Sequence, residues 1–289
     1  MSDAPRTAFV LAGGGSLGAV EVGMLQALAE ARVRPDFVVG SSAGALNAAF
    51  YAGQPDIDGV NALAEIWKRL HTGDVFPISP LAGLLGALAL SDHLVEPGRL
   101  ERLIARSLPY SHLESAALPV HVVAANVRTG RETRFSRGPA VPAVMASAAI
   151  PGVFPPVKID GESYIDGSVA NNTPISAAIE LGASRIVVLP TGYSCEMRSP
   201  PKSALAMALH GVNLLIARQL VIDVERFMDQ VEIRVVPPLC PVRTTPFDFS
   251  NAAELIFRAA NSTRAWLGRG GLEHTGIPYE LPAHEHEVI

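Results

Sequence analysis

Short, nearly continuous apolar runs alternate along the chain with longer stretches whose apolar residues recur every three or four positions. Buried strands interleaved with helices produce this pattern. Thr7–Leu11 (TAFVL) suits a parallel strand covered on both faces. Phe37–Val39, Val120–Ala124, Ile186–Leu189 and Val231–Val236 read as further strands, and Arg131–Phe135 and Glu162–Ile165 as hairpin-like excursions. Helices are expected at Gly18–Ala31, Ala43–Tyr51, Val60–Leu70, Leu100–Ser107, Pro142–Ala148, Pro174–Leu181, Ser203–Met228 and Asn251–Leu267. In the longest of these, Leu205–Leu220 is apolar around most of its circumference, which predicts a central buried helix. The alternation predicts an α/β fold: three α/β/α layers around a mostly parallel central sheet.

Composition narrows the picture. No charge run, repeat or Ser/Gly-rich linker divides the 289 residues, so one domain is expected over residues 5–277, followed by a polar tail at 278–289 that lacks periodicity and is expected to fray. Hydrophobic residues make up 48% and charged ones 18%, ample for a large core and contrary to disorder. A net charge of −5 without a basic stripe argues against a nucleic-acid partner and gives no general attraction to anionic membranes. Cys195 and Cys240 stand far apart with no CxxC, so neither a zinc site nor a disulfide framework is expected. The N-terminal apolar stretch is too short for a signal peptide, and no run reaches the roughly 18 apolar residues of a membrane span. A cytoplasmic location is expected, with any membrane contact peripheral and apolar. Leu81–Leu90 (LAGLLGALAL) has two readings that sequence leaves open: a buried helix or packed loop, or an apolar lid or lipid-contacting surface beside an active site.

Two glycine-rich turns carry candidate chemistry. Gly40-Ser41-Ser42-Ala43-Gly44 fits G-x-S-x-G, with a strand before it and a helix after it, the context that presents a nucleophilic serine on a tight turn. An ordinary turn with Ser42 as a helix cap is the plain alternative. Gly13-Gly14-Gly15-Ser16-Leu17-Gly18 follows the first strand and also satisfies G-x-G-x-x-G. The nicotinamide reading needs an acid at the end of the next strand, where Gly40 and Ser41 stand instead. An oxyanion hole is the better reading, because consecutive glycines leave backbone N–H groups unobstructed.

A serine nucleophile needs a base. Histidines occur at 71, 93, 112, 121, 210, 274, 284 and 286, and none sits in a glycine-flanked loop after a late strand. Asp166, in Tyr164-Ile165-Asp166-Gly167-Ser168, is the better candidate, although Asp-Gly is also a strong hairpin-turn signal. A Ser–His–Asp esterase using a late residue such as His274, and a lipid-binding protein without turnover, remain as alternatives.

These elements together resemble the patatin-like phospholipase family, whose pattern is a GGG loop, a G-x-S-x-G elbow and a later D-G-[GA]. Ala146-Ser147-Ala148-Ala149-Ile150-Pro151 with Phe154-Pro155-Pro156 is similar to the family's segment before the aspartate. The resemblance implies a lipid acyl hydrolase with a Ser42–Asp166 dyad and an oxyanion hole from Gly13, Gly14, Gly15 and Ala43. Gly18, Gly40, Gly44 and Gly167 would support the turns. It implies a lipid ester substrate, no metal and no organic cofactor. Two departures stand out. Leu17 occupies the position of a usual Lys or Arg, which would remove a cation near the oxyanion site. Ser168 replaces a Gly or Ala, a change expected to matter little. Asn171 and Asn172 are expected to brace the aspartate loop.

Overall fold

The computed structural model describes residues 5–76, 93–192 and 204–282. Leu81–Leu90, Cys195, His284 and His286 lie outside the described residues. The first segment contains β1 (Thr7–Leu11), α1 (Gly18–Glu30), β2 (Phe37–Ser41), α2 (Ala43–Gly53), α3 (Ile57–Arg69) and α4 (Thr72–Val75). The second contains α5 (Gly98–Ser107), β3 (Val120–Asn126), β4 (Glu132–Phe135), α6 (Ala140–Ser147), β5 (Val157–Ile159), β6 (Glu162–Asp166), α7 (Ser168–Asn171), α8 (Ile175–Glu180) and β7 (Arg185–Leu189). The third contains α9 (Ala204–Phe227), β8 (Glu232–Val235) and α10 (Ala252–Gly268).

The strands form one sheet in the order β5-β6-β3-β2-β1-β7-β8, with β4 also paired to β3. β3, β2, β1, β7 and β8 run parallel. β4 and β6 run antiparallel to β3, and β5 to β6. The expected excursions are therefore strands of the same sheet. Alternation along β1 divides the core. Phe9 and Leu11 join one cluster with α1, α2, α3 and α10, while Ala8 and Val10 join a second with Ile175, Leu220 and Val224. Helices thus cover both faces, as the alternating pattern requires.

The buried central helix is α1, in which every residue from Gly18 to Leu25 is buried. Helix α9 lies in the outer layer instead. Its Leu220 and Val224 are buried, but Met207, Val212, Leu214, Leu215 and Ile222 are exposed. Apolarity all round a helix does not by itself say what covers it, and here α2, α3 and α10 surround α1. Beyond the expected domain end, Leu281 is buried against the second cluster, so the start of the tail is packed.

A polar network crosses the first layer. The Asn47 amide donates to Glu21 Oε2 (2.7 Å) and to the Gly18 carbonyl (2.9 Å), and Trp67 Nε1 donates to Asn47 Oδ1 (2.8 Å). These bonds join α1, α2 and α3. Glu21 is wholly buried, and its Oε1 has no hydrogen-bond partner among the described residues. Desolvation pushes its carboxyl well above the ordinary value of 4.5, and bonds from Asn47 and the Ala12 backbone only partly offset this. A group with a raised folded-state pKa contributes stability that is full below its unfolded value and is lost as pH rises through the folded one. Glu21→Gln cannot ionise, so its stability should gain on the wild type as pH rises from about 5 to 8. Urea unfolding of both proteins across that range checks this; parallel profiles would contradict it.

Candidate active site

Two strand ends meet on β3. Ser41, the last residue of β2, pairs with Val123, and Asp166, the last residue of β6, pairs with Ala124. β4 occupies the other edge of β3 along Val122–Ala125, so β2 and β6 share an edge and run toward each other. Ser42 follows immediately, with φ 53 and ψ −123. Such a left-handed, sparsely populated backbone costs on the order of 1–3 kcal/mol and persists only where its surroundings fix it. Backbone packing fixes it here: a side chain on Gly40 would strike the Gly44 carbonyl, and one on Gly44 would strike Leu11 and Ala12. Gly18 is similarly pressed against Ala43 and Trp67, and Gly167 against Val123 and Ser41.

The Ser42 hydroxyl donates to Asp166 Oδ2 at 2.7 Å. Asp166 Oδ1 accepts the Ser168 N–H at 2.8 Å. Asp166 is 3% exposed and Ser42 7%. Burial pushes the Asp166 carboxyl above its ordinary 3.8, while hydrogen bonds from Ser42 and from the backbone and hydroxyl of Ser168 pull the other way.

The glycine loop closes over the pair. A side chain at Gly13 would strike Ser168, Asn172 and the Ser42 Cβ, so the loop backbone lies directly against the serine. The Gly13 N–H is already engaged with the Asn172 carbonyl (3.0 Å), which removes it as an oxyanion donor. The N–H groups of Gly14, Gly15 and Ala43 have no hydrogen-bond partner among the described residues. Gly15 has φ +57, and a side chain there would meet the Pro246 carbonyl. Asn172 further ties the aspartate loop to Gly13 through its amide (3.3 Å), whereas Asn171 turns away to Glu132 and Ser176. Leu17 is buried in the core, so that side chain belongs to packing and not to the site.

Ser147 was not singled out by sequence. Its hydroxyl accepts the Ser42 N–H (2.9 Å) and donates to the Val123 carbonyl, and its own carbonyl accepts the Gly167 N–H (3.1 Å). Two residues on, the Ala149 carbonyl accepts the Asp166 N–H (2.9 Å). One short segment thus anchors both strand ends. The signal available in sequence was a lone serine in the otherwise apolar run Ala143–Ile150.

Two chambers meet at Ser42, with empty volumes of about 780 and 850 Å³, open mouths included. The first is walled mainly by apolar side chains, among them Leu46, Phe50, Leu63, Phe76, Leu103 and Phe154. The second contains Gly13–Gly15, Asp166 and Asn172, with Val169, Val212, Ile216 and Phe247 around them. None of the described histidines lines either chamber. His121 bonds Ser136 and meets the Phe37 ring edge-on, and His274 is exposed with Nδ1 2.9 Å from the Gly270 carbonyl. Among the described residues no group of three or more His, Cys, Asp or Glu could hold a metal ion, and no helix is long and apolar enough to cross a membrane.

Comparison with known proteins gives a family. The uncharacterized NTE family protein Rv1063c of Mycobacterium tuberculosis is 28% identical over 188 residues, covering 65% of this chain and 49% of that protein. Patatin-like phospholipase domain-containing protein 6 of Homo sapiens is 28% identical over 191 residues, covering 65% of this chain and 14% of that protein. The chain thus spans less than half the length of these relatives. Among solved structures, VipD from Legionella pneumophila aligns over 93% of this chain and 67% of its own, with TM-score 0.48 and 16% identity. That likeness is too distant to bear on function. The sequence profile described as patatin-like phospholipase matches residues 9–179, well over half of the chain. This chain belongs to the patatin-like phospholipase family.

Proposed function

We propose that this protein is a lipid acyl hydrolase that cleaves carboxylic esters through an acyl-enzyme on Ser42, with Asp166 as the only side-chain base. The observation that carries the reading is the 2.7 Å hydrogen bond from the Ser42 hydroxyl to a buried carboxylate, at the junction of two chambers. Asp166 Oδ2 takes the hydroxyl proton as Ser42 Oγ bonds to the ester carbonyl carbon. The N–H groups of Gly14, Gly15 and Ala43 receive the oxyanion; a donor of this kind is typically worth about 10²–10³ in rate. Asp166 returns the proton to the departing alcohol. A water then attacks the acyl-enzyme, Asp166 takes its proton, and the fatty acid leaves as Ser42 is reprotonated.

The division of the chambers supports a lipid ester. The acyl chain fits the chamber walled by Leu46, Phe50, Leu63 and Phe76, where apolar burial drives binding. The alcohol portion fits the chamber that holds Asp166 and Asn172. The acidic protein offers anionic lipid no general attraction. A histidine-based triad has less support, since none of the described histidines lines either chamber.

Turnover of a panel of phospholipids, lysophospholipids and short p-nitrophenyl esters tests the assignment. Ser42→Ala and Asp166→Asn should each lower kcat by about 10³-fold or more. Ser147→Ala should lower it by about tenfold, because the buried Ser42 N–H loses its partner at a cost of about 1–3 kcal/mol. His274→Ala should leave it unchanged. Turnover that survives Asp166→Asn, or is abolished by His274→Ala, would contradict the dyad.

The pH profile tests the base separately. Only ionised Asp166 accepts the proton, and burial raises its pKa, so kcat/KM should rise along one limb centred above 3.8 and be lost as pH falls through it. A rate independent of pH across the acid range would contradict this assignment.

A further inference from the structure

Helix α9 is uncharged over half its length. Ala204–Ala217 contains no Asp, Glu, Lys or Arg, and charge begins at Arg218. One side of the helix is anchored through buried Leu220 and Val224. At 3.6 residues per turn, Leu215 and Ile222 point almost directly away from Val224. Leu215 is 68% exposed, and Met207, Val212 and Leu214 are each nearly half exposed. Several large apolar side chains exposed on one helix mark an interaction site more often than single exposed residues do.

The position of this surface says what meets it. Val212 and Ile216 of the same helix line the chamber that contains Ser42 and Asp166. Val169, three residues past Asp166, lines that chamber too and is 56% exposed. The apolar face therefore runs into the chamber mouth, and a ligand arriving across it reaches the serine directly. A net charge of −5 disfavours attraction to an anionic surface and leaves apolar contact as the means of attachment.

We propose that Met207, Val212, Leu214 and Leu215, together with Val169, form the surface on which the protein seats against an uncharged or zwitterionic lipid interface, with the Ser42 chamber opening onto it. The inference rests on the lipid-ester reading of the site, but its first readout is binding and not turnover. Phe257 supplies an internal control: it is 66% exposed on α10, in the layer that packs on α1, and lines neither chamber.

Co-sedimentation with vesicles of phosphatidylcholine alone, and of phosphatidylcholine with added phosphatidylserine, tests the surface in a Ser42→Ala background that leaves the lipid intact. The parent should bind both vesicle types. Leu214→Gln/Leu215→Gln should bind about tenfold or more weakly, because burial of two leucines is lost while helix propensity is kept. Phe257→Gln should bind like the parent, and unfolding temperatures should show all three proteins folded. With Ser42 restored, the double variant should keep its rate on a soluble short-chain ester and lose rate on long-chain ester in vesicles. Failure of every protein to hydrolyse any ester, with the binding pattern intact, would overturn the catalytic reading and leave the surface standing. A parent that does not bind, a double variant that binds equally, or binding that requires phosphatidylserine would overturn the surface. So would a dimer that the double variant dissociates without any change in vesicle binding.

Discussion

Val123 and Ala124, adjacent residues of β3, hold Ser41 at the end of one strand and Asp166 at the end of another. Because the two strands approach from opposite directions along one edge, the residue after Ser41 emerges beside the Asp166 side chain. Residues 124 apart in sequence thereby come within one hydrogen bond. The segment from Ser147 to Ala149 then fixes both ends, binding the Ser42 N–H from one side and the Asp166 and Gly167 N–H groups from the other. Everything else about the site follows from holding that junction: backbone contact at Gly40 and Gly44, the left-handed Ser42, and the glycine loop laid against the serine. Strain of this size at a single residue is sustained only because so many independent contacts determine it.

The same junction sets the electrostatics. A carboxylate in water is a poor base for a hydroxyl, and desolvation raises its proton affinity. Complete removal from water would leave it neutral and unable to accept a proton. Hydrogen bonds from Ser42 and Ser168 offset part of the penalty. A buried acid elsewhere shows the other outcome: Glu21, with Asn47 as its side-chain donor and one oxygen unpartnered among the described residues, is driven well above its ordinary value. That carboxyl bonds Asn47 across α1 and α2 and lines neither chamber.

Much of this was legible in the chain. Short continuous apolar runs located the parallel strands, because helices cover both of their faces, and period-3.6 patterning located the long helices, because each buries one face. The two glycine turns and Asp-Gly were legible because close backbone approach admits little else. Three features were not legible. The burial of α1 and the exposure of α9 depend on which helices surround them, and composition carries no such information. The engagement of the Gly13 amide depends on Asn172, 159 residues away. Ser147 looks like any small residue in an apolar helix until the strand ends that it joins are seen together.

Covalent labelling tests the central claim most directly. Intact-mass and peptide analysis after reaction with a long-chain alkyl fluorophosphonate reads which side chain is nucleophilic and what activates it. A single adduct on Ser42, formed about 10² times more slowly in Asp166→Asn, is the predicted result. An adduct on another residue, or labelling of Asp166→Asn at the wild-type rate, would contradict the account.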